Sequence, residues 1–368
     1  MTIAEFQQEF ERTTPPGAAW KNDNIGLLIG RHDAEIANIL VALDVTMEVA
    51  REAVRKKANL IVAHHPVIFQ PLKAVTSQTA AGRLALYLIE HGVAVYAAHT
   101  NFDSVKTGVS FALAACLELS DVSVLSPQRD SLAKIAVFVP PSHAEAVAEA
   151  MHGKGAGMFT KYDECSFRTD GIGTFRGMAD AQPFIGRVGE LERTQEVRIE
   201  MLAERWKIDS VVRAMIEAHP YEEVAYDVYP LENRNTEYGL GAVGTLRVPV
   251  RGSQFLKRVR RLLHCEGIRY AGSAERMISR VAVCGGSGSD LIADARRAGA
   301  DAFVTADLKY HTMQDAAEHL LIVDAGHYET ERIALGPLSD QLRSIGGRAG
   351  ARHRIFVTQI TTNPIHFC

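Results

Sequence analysis

Three short stretches concentrate imidazoles and carboxylates: His64-His65-Pro66, His99-Thr100-Asn101-Phe102-Asp103 and His327-Tyr328-Glu329-Thr330-Glu331. In the last two, a histidine and a carboxylate stand four residues apart. That spacing sets two side chains on one face of a helical turn, where both reach one ion. Glu329, two residues before Glu331, falls on another face and is expected in solvent. Neighbouring histidines point to opposite faces of a regular strand, so His64 and His65 share a site only where the strand breaks; Pro66 helps to force that break. Imidazole with carboxylate suits Zn, Fe, Mn, Co or Ni, and the lack of cysteine in these stretches argues against a purely structural zinc site. A set of three histidines and two carboxylates drawn from them is too large for one catalytic ion with open positions. It suffices for two ions about 3.5–4 Å apart that share a carboxylate.

The elements that must carry these residues are short apolar runs. Ile36–Leu43, Asn59–Ala63 and Val93–Ala98 read as strands, with helical spacing at Met47–Lys57 and Ala80–His91 between them. Nearly continuous apolar strands separated by helices predict a parallel α/β sheet covered on both faces. Each chemical stretch then begins where a strand ends at its carboxyl side, the place where ligand sites form in open α/β sheets. The C-terminal region repeats the pattern: strands at Arg280–Cys284, Ala302–Thr305 and Leu320–Asp324, helices at Ser289–Ala298 and His311–His319. KKANLIVAHHP aligns with RAGADAFVTADLKYH, and VAVYAAHTNFD with LLIVDAGHYETE. Two matches in the same order predict two related α/β halves of one core.

Between the halves the texture changes. Leu132–Val139 reads as a strand, Ser142–His152 as a helix with Ser142 as its N-cap, and Glu164–Thr169 with Gly173–Arg176 as a strand pair around Gly171. Gln195–Leu202 follows as a strand, Ile208–Ala218 as a helix and Val224–Tyr229 as a strand. The expected class is therefore α/β, with an inserted ferredoxin-like α+β domain of βαββαβ order. The boundaries fall at 1–127 for the first half of the core, 128–235 for the insert and 236–368 for the second half.

The 368 residues are 47% hydrophobic and 23% charged with a formal net charge of -4, which suits a globular protein and argues against a general grip on nucleic acid. The basic run Lys257–Arg261 reads as a solvated helix face. Five scattered cysteines without C-x-x-C spacing suit a reducing compartment. With no signal-like N-terminus and no apolar run near the roughly 20 residues that span a bilayer, a cytoplasmic location and no membrane partner are expected.

AHHPVIFQPLK, AHTNFDS, Asp23–Gly30 (DNIGLLIG) and GHYETE together resemble the Nif-three-like family, the type 2 homologues of GTP cyclohydrolase I, over both outer segments. HPYEEVAYDVYPL at His219–Leu231 resembles the CutA-like, PII-like domain that longer members carry between the halves. The resemblance implies two divalent metal ions per subunit, held by His64, His65, Asp103, His327 and Glu331, with Glu331 bridging. It implies a toroidal homohexamer whose sites face an internal cavity. His99 is expected beside the metal as a proton shuttle, with direct ligation as the alternative. Asp307, Lys309 and His311 match the His64–His65 position in the repeat and are expected along the same pocket, with Lys309 free to hold a phosphate. Gly285–Ser289 fits an anion cradle and a tight turn equally. Asp23 and Asn24 suit either support of the site or a turn, and His219 and Tyr221 suit packing better than a binding surface. Metal-dependent hydrolysis of a nucleotide or related small molecule is the activity expected, GTP cyclohydrolase chemistry and phosphoester cleavage both fitting. The rival is a non-enzymatic metal-binding regulator or scaffold.

Overall fold

A computed structural model describes residues 1–348, 350 and 353–368. Its packing divides the chain into two compact units, residues 1–127 with 236–368, and residues 128–235.

The first unit holds two sheets of the same plan. In one, the strands run in the order Gly26–Ile29, Ala94–Ala97, Leu60–Ala63, Asn38–Ala42 and Arg354–Val357. In the other the order is Arg269–Ala271, Leu321–Asp324, Ala302–Ala306, Met277–Ser287, Asn235–Arg251 and Leu119–Gln128. Each begins with an antiparallel edge strand and continues with three parallel strands. The parallel strands correspond in the order the repeat predicts: Leu60–Ala63 with Ala302–Ala306, and Ala94–Ala97 with Leu321–Asp324. The sequence did not suggest that the halves exchange strands. Leu119–Gln128 closes the second sheet, and Arg354–Val357 pairs in parallel with Asn38–Ala42 of the first.

Alternation along the strands gives each sheet two buried faces. In the first sheet Ile39, Val41, Leu60, Val62 and Tyr96 meet Ile3, Phe6 and Phe10 of one helix and Leu338, Leu342 and Ile345 of another. The opposite face sets Leu40, Ile61 and Val95 against Val49, Ala50, Ala53, Ala85 and Leu88. Thr46 and Thr79 cap those covering helices by accepting the N–H of Val49 and Gly82, a bond worth about 1 kcal/mol per cap. The second sheet is covered in the same way, by Leu113, Leu117, Phe255, Val259 and Leu263 on one face and Leu291, Ala295 and Ala316 on the other. Each fully buried aliphatic side chain contributes roughly 1.5–3 kcal/mol, so these rigid strands hold their carboxyl ends in fixed places.

Lys257, Arg260 and Arg261 of the basic run are exposed, as expected of a solvated helix face, while Arg258 is half-buried and donates to the Leu117 carbonyl at 2.9 Å. One local expectation changes here. The helix expected from Ser289 begins as a 3₁₀ turn, with the α-helix only at Ile292–Arg297.

The second unit is a four-stranded antiparallel sheet in the order Phe167–Arg176, Leu191–Glu204, Leu132–Val139, Tyr226–Pro230. With helices Ala144–His152 and Ile208–Ala218, its elements follow in the order βαββαβ. The helices cover one face, where Val147, Met151, Val211 and Met215 pack on Ile135, Val137, Ile199 and Met201. The expected strand pair around Gly171 is instead one strand. Pairing runs unbroken from Phe167↔Glu200 to Arg176↔Leu191, because Gly171 and Gly173 are extended. The chain turns later, where Gly186 and Gly189 take positive φ. Ser142 is not the N-cap of the following helix: Pro141–His143 forms a 3₁₀ turn, His143 takes the cap position without a side-chain bond, and Ser142 Oγ pairs with His143 Nδ1 at 3.0 Å. Among the described residues, no helix is long and apolar enough to cross a membrane.

Candidate metal centre

Three strand ends build one cluster. Beyond Ala63 the chain bends, yet His64 N–H and His65 N–H still bond Ala42 and Leu43 carbonyls at 3.1 and 2.9 Å. The bend turns both imidazoles to the same side, with ring centroids 4.9 Å apart. Beyond Ala97, His99 opens a single helical turn, Thr100–Asp103, whose last two N–H groups bond the His99 carbonyl at 2.8 and 3.0 Å. Beyond Asp324, Gly326 at φ +91 opens the turn His327–Glu331. There His327 Nε2 stands 3.1 Å from Glu331 Oε2, the i, i+4 contact read from the sequence.

Every imidazole is oriented from behind. His64 Nδ1 lies 2.9 Å from the Ala98 carbonyl, His65 Nδ1 2.7 Å from Asp44 Oδ1, His99 Nδ1 2.9 Å from Asp23 Oδ1 and His327 Nδ1 2.6 Å from Asp307 Oδ2. Donation of each Nδ1–H to these oxygens leaves the Nε2 lone pairs aimed inward, the arrangement that orients metal-binding histidines. His65 Nε2 stands 3.0 Å from Glu331 Oε2, while His64 Nε2 is 3.8 Å from Glu331 Oε1 and 3.7 Å from Asp103 Oδ1. These contacts have the proximity of bonds without their geometry: His64 Nε2 and Glu331 Oε2 are buried and find no hydrogen-bond partner among the described residues. Buried ring nitrogens and carboxylate oxygens that converge without a hydrogen bond fit a cation. Donor atoms within 4.8 Å of one another form two groups, His64 with His65 and His99, and His65 with His327 and Glu331, so His65 belongs to both.

The electrostatics follow the same convergence. Burial alone would raise the Glu331 carboxyl, but His327, His64 and His65 hold it well below the usual range. Burial opposes the charge on His65 too, yet Asp44 and Glu331 push it up to about 10, and Glu331 chiefly pushes His327 up to about 9. Burial raises Asp103. Asp23, although burial opposes its charge, is held at about 2 by His99 and Thr100. The cluster thus favours positive charge at its centre and negative charge on Glu331.

All six residues singled out in the three stretches gather here. Asp23 holds His99, and Asn24 Nδ2 donates to the Ile68 carbonyl. Of the triplet Asp307, Lys309 and His311, Asp307 reaches His327, whereas the His311 ring lies against exposed Tyr310 at 5.1 Å. Glu329 is not solvated: it is half-buried and accepts Asn363 Nδ2 at 2.9 Å. Gly286, at φ +60, lets the main chain pass the cluster. A Cβ there would sit 2.1 Å from Glu331 Oε1 and 3.2 Å from His327 Nε2, and its N–H is committed to Thr330 Oγ1 at 3.0 Å. Asp44 escaped sequence reading although it follows the strand Asn38–Ala42, so the strand-end rule that singled out the histidines also points to it. The segment around Thr362 and Asn363, which braces Asp44 and Glu329, carries no such signal.

The family model described as Duf34/NIF3 (NGG1p interacting factor 3) matches residues 1–364. A Bacillus subtilis protein named GTP cyclohydrolase 1 type 2 homolog is 44% identical over 362 residues, covering 98% of this chain and 97% of its own length. A protein of the same name from Halalkalibacterium halodurans is 40% identical, covering 100% and 98%. The crystal structure of a Bacillus cereus protein related to NIF3 superposes with a TM-score of 0.87 at 39% identity, covering 100% of this chain and 99% of that one.

Proposed function

The chain belongs to the Duf34/NIF3 family, and from that premise we propose that it binds two divalent metal ions and hydrolyses a nucleotide or related small molecule. His64, His65, Asp103, His327 and Glu331 are the ligands in this proposal, with Glu331 shared between the ions and the metal drawn from Zn, Fe, Mn, Co and Ni. The observation that carries it is the convergence of Nε2 lone pairs on Glu331, each imidazole being fixed from behind through its Nδ1. When bound, such ions supply Lewis acidity that activates water and polarises a substrate oxygen.

The chain's own residues supply the remainder. Glu331, kept ionised, balances the charge at the centre. His99 stands beside His64 and His65, at ring distances of 5.3 and 5.7 Å, with its Nδ1 anchored on Asp23. It is suited to carry a proton between the substrate's leaving atom and solvent. The names of the relatives favour GTP cyclohydrolase-type chemistry, and the same residues serve a phosphoesterase. Exposed Trp20 and Phe69 fit burial between subunits of a toroidal homohexamer. In this proposal the protein is cytoplasmic, residues 1–127 and 236–368 are the two halves of the core, and residues 128–235 are the inserted CutA-like, PII-like domain.

The test is metal analysis of purified, reloaded protein joined to a hydrolase screen that includes GTP and phosphoesters. Two ions per chain and turnover lost in His65→Ala are expected. Fewer than one ion per chain rejects the metal centre. Full loading with no turnover leaves a metal-binding regulator or scaffold.

A further inference from the structure

A cavity of about 860 Å³ lies wholly within residues 128–235, on the sheet of the second unit. Its volume falls in the range of roughly 300–1,000 Å³ typical of small-molecule sites. The strand Phe167–Arg176 forms one side, where Gly171 and Gly173 pair with Glu196 and Thr194. A Cβ on Gly173 would come within 2.1 Å of Glu196 Oε2, so glycine there makes room for the carboxylate. Tyr221 OH donates to Glu196 Oε1 at 3.0 Å and fixes its direction. The Phe175 and Phe184 rings stand 6.1 and 6.2 Å from the Tyr221 ring. The loop that carries Phe184 is closed at its base, where Gly189 N–H bonds the Gly177 carbonyl at 2.9 Å. It is tied down by Gln182 N–H on Glu222 Oε2 at 3.0 Å.

Charge selects the ligand. Asp170, Asp180, Glu196, Glu222 and Glu223 line the cavity against only Arg176 and Arg198. Arg198 is paired with Glu200 at 2.8 Å and lies over the Phe138 ring. An anion would be repelled, and a neutral apolar molecule would leave the carboxylates without a counter-charge. Aromatic faces beside a carboxylate attract a cation that carries apolar bulk. Large apolar side chains also remain open at the rim, with Phe184 54% and Met178 77% exposed.

We propose that residues 128–235 bind a small organic cation, a quaternary or protonated amine, between Phe175, Phe184, Tyr221 and Glu196. Titration calorimetry on the full chain tests this with three probes: benzyltrimethylammonium, the neutral isostere in which carbon replaces its nitrogen, and benzylsulfonate. The cation should bind about tenfold more tightly than the isostere, and the sulfonate should not bind. Glu196→Gln and Phe184→Ala should each weaken the cation by about tenfold without changing the melting temperature or the metal content. Equal affinity for cation and isostere, no saturable binding of the cation, or insensitivity to both variants overturns the proposal. Self-association abolished by Phe184→Ala, without cation binding, assigns the face to a second copy and overturns it too.

Discussion

The two sheets of the first unit present the same backbone at corresponding strand ends and fill it differently. After Ala97 and after Asp324 the fill is alike, a helical turn bearing His99 and Asp103 in one sheet and His327 and Glu331 in the other. After Ala63 and after Ala306 it diverges. The first sheet supplies His64 and His65, whose Nε2 atoms face the cluster, whereas the second supplies Asp307, which stands behind His327 and orients it. Even the matched turns differ in burial, for Glu331 is almost enclosed while Asp103 is partly open. A duplicated scaffold thus sets where a side chain can act. The residue placed there decides whether it faces the centre or supports one that does.

The sharpest break of this comparison is at Glu331, a carboxylate that meets histidines of both sheets. Glu331→Gln keeps the shape and removes the charge, so its neighbours His64, His65 and His327 lose their common partner. Loss of at least one ion per chain and of measurable turnover is expected, read by metal analysis and single-turnover assay. Retention of both ions would show that the sheets hold metal independently and that Glu331 is not shared.

A finer comparison sets Asp44 against Asp307, the carboxylates behind His65 and His327. Replacing an outer-shell partner of a ligating histidine commonly lowers metal affinity about 10–100-fold. Asp44 is the less exposed of the two, 35% against 53% in its side chain, and His65 belongs to both donor groups. Asp44→Asn should therefore weaken metal binding more than Asp307→Asn in competition with a chromophoric chelator. The reverse order would mean that the second sheet dominates the site.

Much of this was legible because short-range rules governed it. The His-x-x-x-carboxylate spacing needed only one helical turn, and the apolar runs needed only buried parallel strands. What escaped depends on distant partners. That Arg354–Val357 lies beside Asn38–Ala42 is set by tertiary packing, not by either segment's own pattern. Asp44 became part of the centre through His65, 21 residues away, and Glu329 was drawn inward by Asn363. Gly171 misled because glycine in sequence marks a turn more often than an extended strand.

The smallest expected effect contrasts the histidine–carboxylate cluster, where neighbouring carboxylates stabilise charged histidines, with His219 of the second unit, where the neutral form is required. His219 is buried, Nε2–H donates to the Phe138 carbonyl at 3.0 Å, and Nδ1 accepts the Tyr221 N–H at 3.1 Å. Protonating Nδ1 would put two donors face to face. Burial, opposed by the Phe138 bond, accordingly lowers the His219 pKa. The unfolded chain then takes up its proton at a higher pH than the folded one, near the ordinary value of about 6.5. Stability contributed by the neutral ring is present above that value and is lost as pH falls from there towards the folded pKa, by about 1.4 kcal/mol per unit of depression. Protection of the amides of the strand Leu132–Val139, taken as exchange relative to the free-peptide rate at each pH, should therefore fall between neutral and mildly acidic pH. His219→Gln, which keeps a donor for Phe138 but does not titrate, should flatten that response. An unchanged pH response in the variant would place the acid sensitivity elsewhere in the second unit.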